Sequence, residues 1–106
     1  MQRLLLDTHV FLWWLADSPN LAEPAAEAIG DARNDVFVSA ATGWEIAIKR
    51  AAGKLQAPDN LDAFVEESGF LPLPITFFHG EQAGALPMHH KDPFDRMLIA
   101  QAQAEG

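Results

Sequence analysis

The sequence contains no cysteine. It therefore offers no disulfide, no thiolate ligand for zinc and no thiol nucleophile. A chain without cysteine is compatible with a reducing compartment, and we expect a cytoplasmic protein.

Basic residues are few, because 7 lysines and arginines stand against 15 aspartates and glutamates, a formal net charge of -8. Such a chain repels nucleic acid at long range, so phosphate contacts are not expected to supply most of its affinity for a polynucleotide. An enzyme of this charge that acts on nucleic acid needs metal ions or a local basic patch.

Long hydrophobic runs are also missing. The uninterrupted apolar segment Val10–Ala16 is far shorter than the roughly 20 residues that span a bilayer, and the apolar run after Arg3 is interrupted by Asp7 and His9. We expect neither a membrane segment nor a signal peptide. With 106 residues, 49% of them apolar, the chain can bury one core, which predicts a single domain over residues 1–106.

Short apolar strands alternate with amphipathic helices along the chain. Strands are predicted at Arg3–Leu6 and Asp35–Ser39, and the prolines of Phe70–Ile75 allow only an edge strand or an extended connector there. Helices are predicted in the apolar segment from Val10 to Leu15, over Ala22–Arg33, from the capping-box spacing of Thr42 and Glu45 to Gly53, after Asp59, after Thr76 and after Asp92. This order predicts an α/β fold whose parallel sheet is covered on both faces and binds ligands beyond the carboxyl ends of its strands.

Three carboxylates are placed to meet at that edge of the sheet. Asp7 directly follows the first strand, and Glu45 and Asp95 lie near the starts of two helices. Magnesium takes oxygen ligands, and one or two such ions can activate water and offset the charge that builds up during phosphodiester hydrolysis. The pattern therefore predicts metal-dependent phosphodiester chemistry.

Each carboxylate also has a purely local explanation. Glu45 could be only the third position of a capping box with Thr42, and Asp92 and Asp95 could be only the cap and first-turn charge of a helix. Asp7 is harder to explain this way, because the neighbouring hydroxyl of residue 8 would meet the same capping need.

For the other residues that could bind metal or nucleic acid, the sequence predicts structural or solvent-exposed roles. The histidines lack the paired spacing of a zinc site, and the tryptophans are predicted to be core residues, with base stacking as the alternative. The basic cluster is expected to be solvated, with phosphate contact as the alternative. These residues are His9, His79, His89 and His90; Trp13, Trp14 and Trp44; and Lys49, Arg50 and Lys54.

Three segments resemble PIN-domain proteins, and among them the VapC toxins of bacterial type II toxin–antitoxin pairs: LLLDTHVFLWWL, VSAATGWEIAIKRAAGKL and HHKDPFDRMLIAQAQAEG. They occur in the family's order and cover essentially the whole chain. The resemblance implies a three-layer α/β/α fold around a central parallel sheet, endoribonuclease activity that depends on Mg²⁺ or Mn²⁺, a homodimer, and inhibition by a small antitoxin.

The same resemblance assigns roles to individual residues. It implies that Asp7, Glu45 and Asp95 are catalytic residues and metal ligands, and that Thr8 helps to order the site. Asp92, one turn before Asp95, is left as a helix cap, a second-sphere residue or an extra metal ligand.

Two basic residues close to Asp95 in the sequence, Lys91 and Arg96, are predicted to position phosphate. The family pattern continues into a further strand with a fourth acidic residue. We therefore expect the sheet to lack one or more C-terminal strands and the site to hold three of the four acids.

Several functional alternatives stay open. A catalytically impaired PIN fold that binds an antitoxin is one, and a DNA-directed or structure-specific nuclease is another, because nothing in the sequence recognises a 2′-hydroxyl. A phosphatase of the haloacid dehalogenase type also begins with an aspartate after the first strand. It needs a second aspartate two positions later, where this chain has His9.

Overall fold

The computed structural model describes residues 1–88 and 91–106, so the predictions for His89 and His90 lie outside the described residues. Each strand is followed by two helices, in this order: β1 Arg3–Leu6, α1 Thr8–Leu15, α2 Glu23–Gly30, β2 Asp35–Ser39, α3 Ala40–Ala51, α4 Leu61–Glu67, β3 Leu71–Leu73, α5 Phe77–Ala85 and α6 Pro93–Glu105. Within these ranges no helix is long and apolar enough to cross a membrane.

The three strands form one parallel sheet in the order β1-β2-β3. Leu4 pairs with Val36, and Val38 pairs with Pro72. The edge position of β3 accommodates Pro72, which has no N–H to donate to a neighbouring strand. Because the strands are parallel, the segments that follow β1 and β2 leave the sheet on the same side. The predicted α/β class, its parallel sheet and its proline-containing edge strand are confirmed.

The core lies where the sheet meets its helices. Leu6, Val36 and Val38 contribute the buried side chains of the strands, and Phe11 from α1 and Ile46 from α3 are 1% and 0% exposed. Full burial of a large apolar side chain stabilises the folded state by about 1.5–3 kcal/mol relative to exposure. These side chains therefore fix how α1 and α3 lie on the sheet.

Trp44 does not belong to this core. Its side chain is 60% exposed and that of Ile48 is 44% exposed, whereas Ile46 between them is fully buried. Neighbours two positions apart lie about 200° apart around a helix, so Trp44 and Ile48 cannot share the face of Ile46. The prediction of Trp44 as a core residue is wrong, while Trp13 and Trp14 are half-buried.

The start of α3 also differs from the prediction. The strand β2 runs directly into the helix, and the Ser39 hydroxyl accepts a hydrogen bond from the N–H of Ala41 at 3.0 Å. Ser39 is therefore the N-cap, and the predicted capping box of Thr42 and Glu45 is wrong. Thr42 lies inside the helix with 0% exposure, and Glu45 lies in the second turn rather than the first.

Other helix boundaries follow local sequence signals to different degrees. Gly53 ends α3 with a φ of 72°, as predicted. The helix α2 ends at Gly30 rather than Arg33, because the chain turns at the next residue to enter β2. Asn60, with a φ of 55°, precedes α4 in place of the predicted Asp59.

The caps of the last two helices are as predicted. Thr76 caps α5 by accepting a hydrogen bond from the N–H of His79 at 3.1 Å. Asp92 caps α6, and Pro93 occupies the first helical position, where a backbone N–H would have no partner within the helix.

Candidate active site

Asp7 lies at the point where β1 ends and α1 begins. Its Oδ1 atom accepts a hydrogen bond from the N–H of Val10 at 2.8 Å, so Asp7 is the N-cap of α1. Within the described residues its second carboxylate oxygen has no hydrogen-bond partner, and the residue is exposed. Asp7 can therefore cap the helix with one oxygen and offer the other to a ligand.

Glu45 is buried, at 5% exposure, and both of its carboxylate oxygens are bound by other side chains. Oε1 accepts a hydrogen bond from the Thr8 hydroxyl at 2.6 Å, and Oε2 pairs with the Lys49 ammonium at 2.6 Å. Thr8 gives its single hydroxyl hydrogen to Glu45, so Thr42, whose oxygen lies 3.2 Å from that of Thr8, must donate to Thr8. The carboxylate is thus held in one orientation by a chain of two hydroxyls and a cation.

Two aspartates lie at the start of α6. Asp92 accepts hydrogen bonds from the N–H groups of Phe94 at 2.8 Å and Asp95 at 3.1 Å. Asp95 is exposed, and in the described part of the chain its carboxylate accepts no hydrogen bond. Of the two, Asp95 has its oxygens available, while Asp92 uses one oxygen to cap the helix.

Electrostatics link these residues into one cluster. Partial burial raises the pKa of the Asp95 carboxyl, and the negative charges of Asp92, Glu45 and Asp7 raise it further, while His9 lowers it. Because charge interactions weaken with distance, this shift places the carboxylates of Asp92, Glu45 and Asp7 near that of Asp95.

Lys49 lies within the electrostatic field of the same carboxylates. Its hydrogen bond and charge interaction with Glu45 raise the pKa of its ammonium, and the charges of Asp92 and Asp95 raise it further. The sequence analysis predicted Lys49 to lie in a solvated basic cluster and did not predict its ion pair with Glu45. Lys49 and Thr42 could have been found from their spacing, since both share a helix face with Glu45, at i+4 and i-3.

The donor atoms of the cluster suit a hard divalent cation, because they are all oxygens of carboxylates. Among residues 1–88 and 91–106, however, no three such groups lie close enough together to enclose one ion. Magnesium usually keeps several waters and takes only one or two carboxylates directly. The residues therefore fit an ion bound by Asp7 or Asp95, with other carboxylates reached through water.

Arg96 has a structural task. Its guanidinium donates hydrogen bonds to the carbonyls of Ala83 at 2.7 Å, Leu86 at 2.9 Å and Pro87 at 3.0 Å, which lie at the end of α5. It satisfies carbonyls that the last turn of a helix leaves without partners. That Arg96 also positions phosphate stays a prediction. Lys91 is exposed, and its predicted role stays a prediction.

An aromatic pair borders the cluster. Trp44 and Phe94 contact each other edge to face, with ring centroids 5.1 Å apart and planes at 78°. Each immediately precedes one of the carboxylates, Glu45 and Asp95. The pair therefore joins the start of α6 to α3 next to the candidate site.

The comparison with protein families gives one match. The model described as the PIN domain matches residues 4–106, while no curated protein gives a significant match. PIN domains are generally nucleases that use divalent metal ions. Because the match covers nearly the whole chain, the protein belongs to the PIN-domain family, a nuclease fold.

Proposed function

We propose that this protein is a metal-dependent endoribonuclease and the toxin of a VapBC-type toxin–antitoxin pair. The observation that carries the nuclease proposal is the approach of acidic residues from different elements to Asp95, since the charges of Asp92, Glu45 and Asp7 each raise the pKa of its carboxyl. Carboxylates that repel each other in this way are stabilised by a divalent cation between them. We propose Mg²⁺ or Mn²⁺ as that cation.

In this proposal Asp7 and Asp95 would provide the oxygens that hold the ion, and Glu45 would orient a water at the site. Thr8 keeps the Glu45 carboxylate in place through its 2.6 Å hydrogen bond, and Lys49 balances the charge of Glu45 in the ion-free protein. A bound divalent cation would lower the pKa of a water and offset the negative charge of the scissile phosphate. It would also reduce the repulsion between RNA and a chain of net charge -8.

The choice of RNA, the toxin role and the partners rest on the resemblance of the three sequence segments to VapC proteins. The proposed partners are a second copy of the chain, which would form a homodimer, and a small antitoxin. We propose that the toxin acts in the cytoplasm. An acidic cluster also suits inhibition by a basic side chain, because pairing would offset the repulsion among the carboxylates. Asp92 would act mainly as the cap of α6, with its second oxygen able to support the ion through water.

The test is a cleavage assay on end-labelled RNA with Mg²⁺, with Mn²⁺ and with EDTA, alongside DNA of the same sequence. The key variant is Asp7→Asn, because asparagine caps helices about as well as aspartate and leaves α1 intact. We expect cleavage of RNA by the wild-type chain with either metal, none with EDTA, and none by the variant.

Asp17→Asn is the matched control. Asp17 lies just beyond the other end of α1, is exposed and has a φ of 50°, a conformation that asparagine tolerates well. This variant should cut at the wild-type rate. Cleavage by Asp7→Asn at the wild-type rate would contradict the assignment, and faster cleavage of DNA than of RNA would replace the ribonuclease with a DNA-directed enzyme.

A second candidate function is a catalytically impaired PIN fold that binds an antitoxin. The observation that favours it is the occupation of both Glu45 oxygens by Thr8 and Lys49. If Mn²⁺ binds no more tightly to the wild-type chain than to Asp7→Asn, and neither cuts RNA or DNA, this alternative replaces the nuclease.

A further inference from the structure

Three buried polar side chains lie away from the carboxylates and contact one another. Ser39 at the end of β2, His79 on α5 and Gln101 on α6 are 2%, 1% and 0% exposed. Burial of such groups is costly unless they are hydrogen-bonded, and in the described residues every buried side-chain nitrogen and oxygen has a partner. We call these three residues the Gln101 cluster.

The hydrogen bonds fix the orientation of the Gln101 amide. The Ser39 hydroxyl donates to Oε1 of Gln101 at 2.5 Å, while the Ser39 oxygen accepts the N–H of Ala41. The amide nitrogen then points to the carbonyl of Pro74 and to Nδ1 of His79, each at 3.3 Å. A carbonyl can only accept, so the amide cannot be turned around without loss of both bonds.

His79 extends the cluster to the far end of α6. Its Nδ1 accepts the N–H of Thr76 at 3.0 Å, which leaves the ring proton of the neutral imidazole on Nε2. That nitrogen lies 3.0 Å from Oε2 of Glu105 and can donate to it. The start of α5 is thereby attached to α6 at two points, Gln101 and Glu105.

Gln101 connects α3 and α6, the two helices that carry Glu45 and Asp95. Ser39 is the N-cap of α3, six residues before Glu45, and Gln101 lies six residues after Asp95 on α6. Six residues of helix span about 9 Å. The bond between Ser39 and Gln101 is the one side-chain hydrogen bond that, in the described ranges, joins the cap of α3 to α6.

We propose that Gln101 is a positioning residue, which sets the separation of α3 and α6 at the value where Glu45 and Asp95 serve one cation. A leucine of similar volume would fill the space but would impose no direction, because dispersion contacts are non-directional. The amide requires three partners at fixed angles: Ser39 at the end of β2, Pro74 just after β3, and His79 on α5. The inference rests on the proposed function of the carboxylates.

The test uses Gln101→Leu in the full chain and measures Mn²⁺ affinity by electron paramagnetic resonance and kcat and KM on RNA. A misplacement of about 1 Å in a catalytic group can reduce the rate about 100-fold, and loss of an outer-shell partner weakens metal affinity about 10- to 100-fold. We expect kcat to fall on this scale with little change in KM, and Mn²⁺ affinity to fall at least about tenfold. Gln101→Glu, which keeps an oxygen to accept from Ser39, should recover part of both.

Val65→Ala controls for stability alone. Val65 is 9% exposed on α4, outside the Gln101 cluster, and its truncation leaves a small cavity in the core. This variant should unfold at lower urea concentration with unchanged Mn²⁺ affinity and kcat. If Gln101→Leu behaves in the same way, Gln101 only stabilises the fold and the inference is overturned.

A distance measurement separates this inference from the proposed function. Since the chain has no cysteine, Ala47→Cys on α3 and Ala104→Cys on α6, both exposed positions, can carry a unique pair of spin labels. Gln101→Leu should shift or broaden the distance between the labels. An unchanged distance refutes the inference, whereas a wild-type chain that binds no Mn²⁺ and cuts no RNA refutes the proposed function instead.

Discussion

Replacing Thr8 by valine removes one hydroxyl from the site and keeps the shape of the side chain. Thr8 is 5% exposed, and its hydroxyl donates to Oε1 of the equally buried Glu45 at 2.6 Å. Because valine is branched like threonine, the substitution opens no cavity. Thr42 loses its acceptor at the same time, so two buried polar groups are affected by one change.

The size of the effect follows from these contacts. A hydrogen bond to a charged group contributes about 1.5–3 kcal/mol to the free energy of unfolding, and a buried group left without a partner costs a further 1–3 kcal/mol or so. Thr42 can recover part of that cost by turning its hydroxyl to the backbone carbonyl of Val38 or Ser39, one turn earlier in the chain. Thr8→Val should therefore lower the free energy of unfolding by about 2–4 kcal/mol.

Urea unfolding at pH 7 measures this loss, with equal slopes showing that the unfolded states are comparable. Thr8→Ser is the matched control, because it keeps the hydroxyl and removes one methyl group, which costs about 0.8 kcal/mol. If the valine variant is no less stable than the serine variant, the hydroxyl does not hold Glu45 and the account of the site is refuted.

Three further changes test the electrostatics and the core. In the folded protein the pKa of the Asp95 carboxyl is raised, so its ionisation with rising pH lowers the free energy of unfolding. Asp95→Asn should therefore raise the free energy of unfolding at pH 7, by under about 1 kcal/mol because the residue is exposed. In urea titrations near pH 3, where the carboxyl is protonated in both states, this gain should disappear. Trp44→Ala should cost under about 1 kcal/mol of unfolding free energy, whereas Phe11→Ala in the core should cost about 3–5 kcal/mol, and equal losses in urea unfolding would contradict the burial argument. Lys49→Met should strengthen Mn²⁺ binding by up to about fivefold in electron paramagnetic resonance titrations, because the pair between the half-exposed Lys49 and the buried Glu45 is worth about 1 kcal/mol. Weaker binding would show that the lysine does not compete with the ion.

Local signals were enough to place two of the carboxylates. Asp7 follows an apolar run that can only be a strand, and Asp92 with Pro93 marks a helix start, which puts Asp95 in its first turn. That these groups approach one another follows from the parallel order of the strands, which the alternation of elements already predicted.

The start of α3 shows why local signals fail elsewhere. Both Ser39 and Thr42 carry a hydroxyl, and Thr42 has the spacing of a capping box with Glu45. The cap is Ser39 because β2 enters the helix without a loop, and the length of β2 is set by its pairing with β1 and β3. No local pattern contains that information.

The Gln101 cluster could not be found from the sequence for a related reason. Gln101 is bonded to residues 62 and 22 positions away, Ser39 and His79, and glutamine on a helix ordinarily faces water. The exposure of Trp44 likewise depends on how α3 is rotated about its axis, since Ile46 points into the core and leaves Trp44 outside.

The bonds between Arg96 and the end of α5 make the position of one carboxylate depend on a helix outside the candidate site. Arg96 directly follows Asp95, and its guanidinium donates to the carbonyls of Ala83 and Leu86, so α5 helps to locate the first turn of α6. A substitution that shifts the end of α5 should therefore move the Asp95 carboxylate as well, although α5 itself contributes none of the four carboxylates.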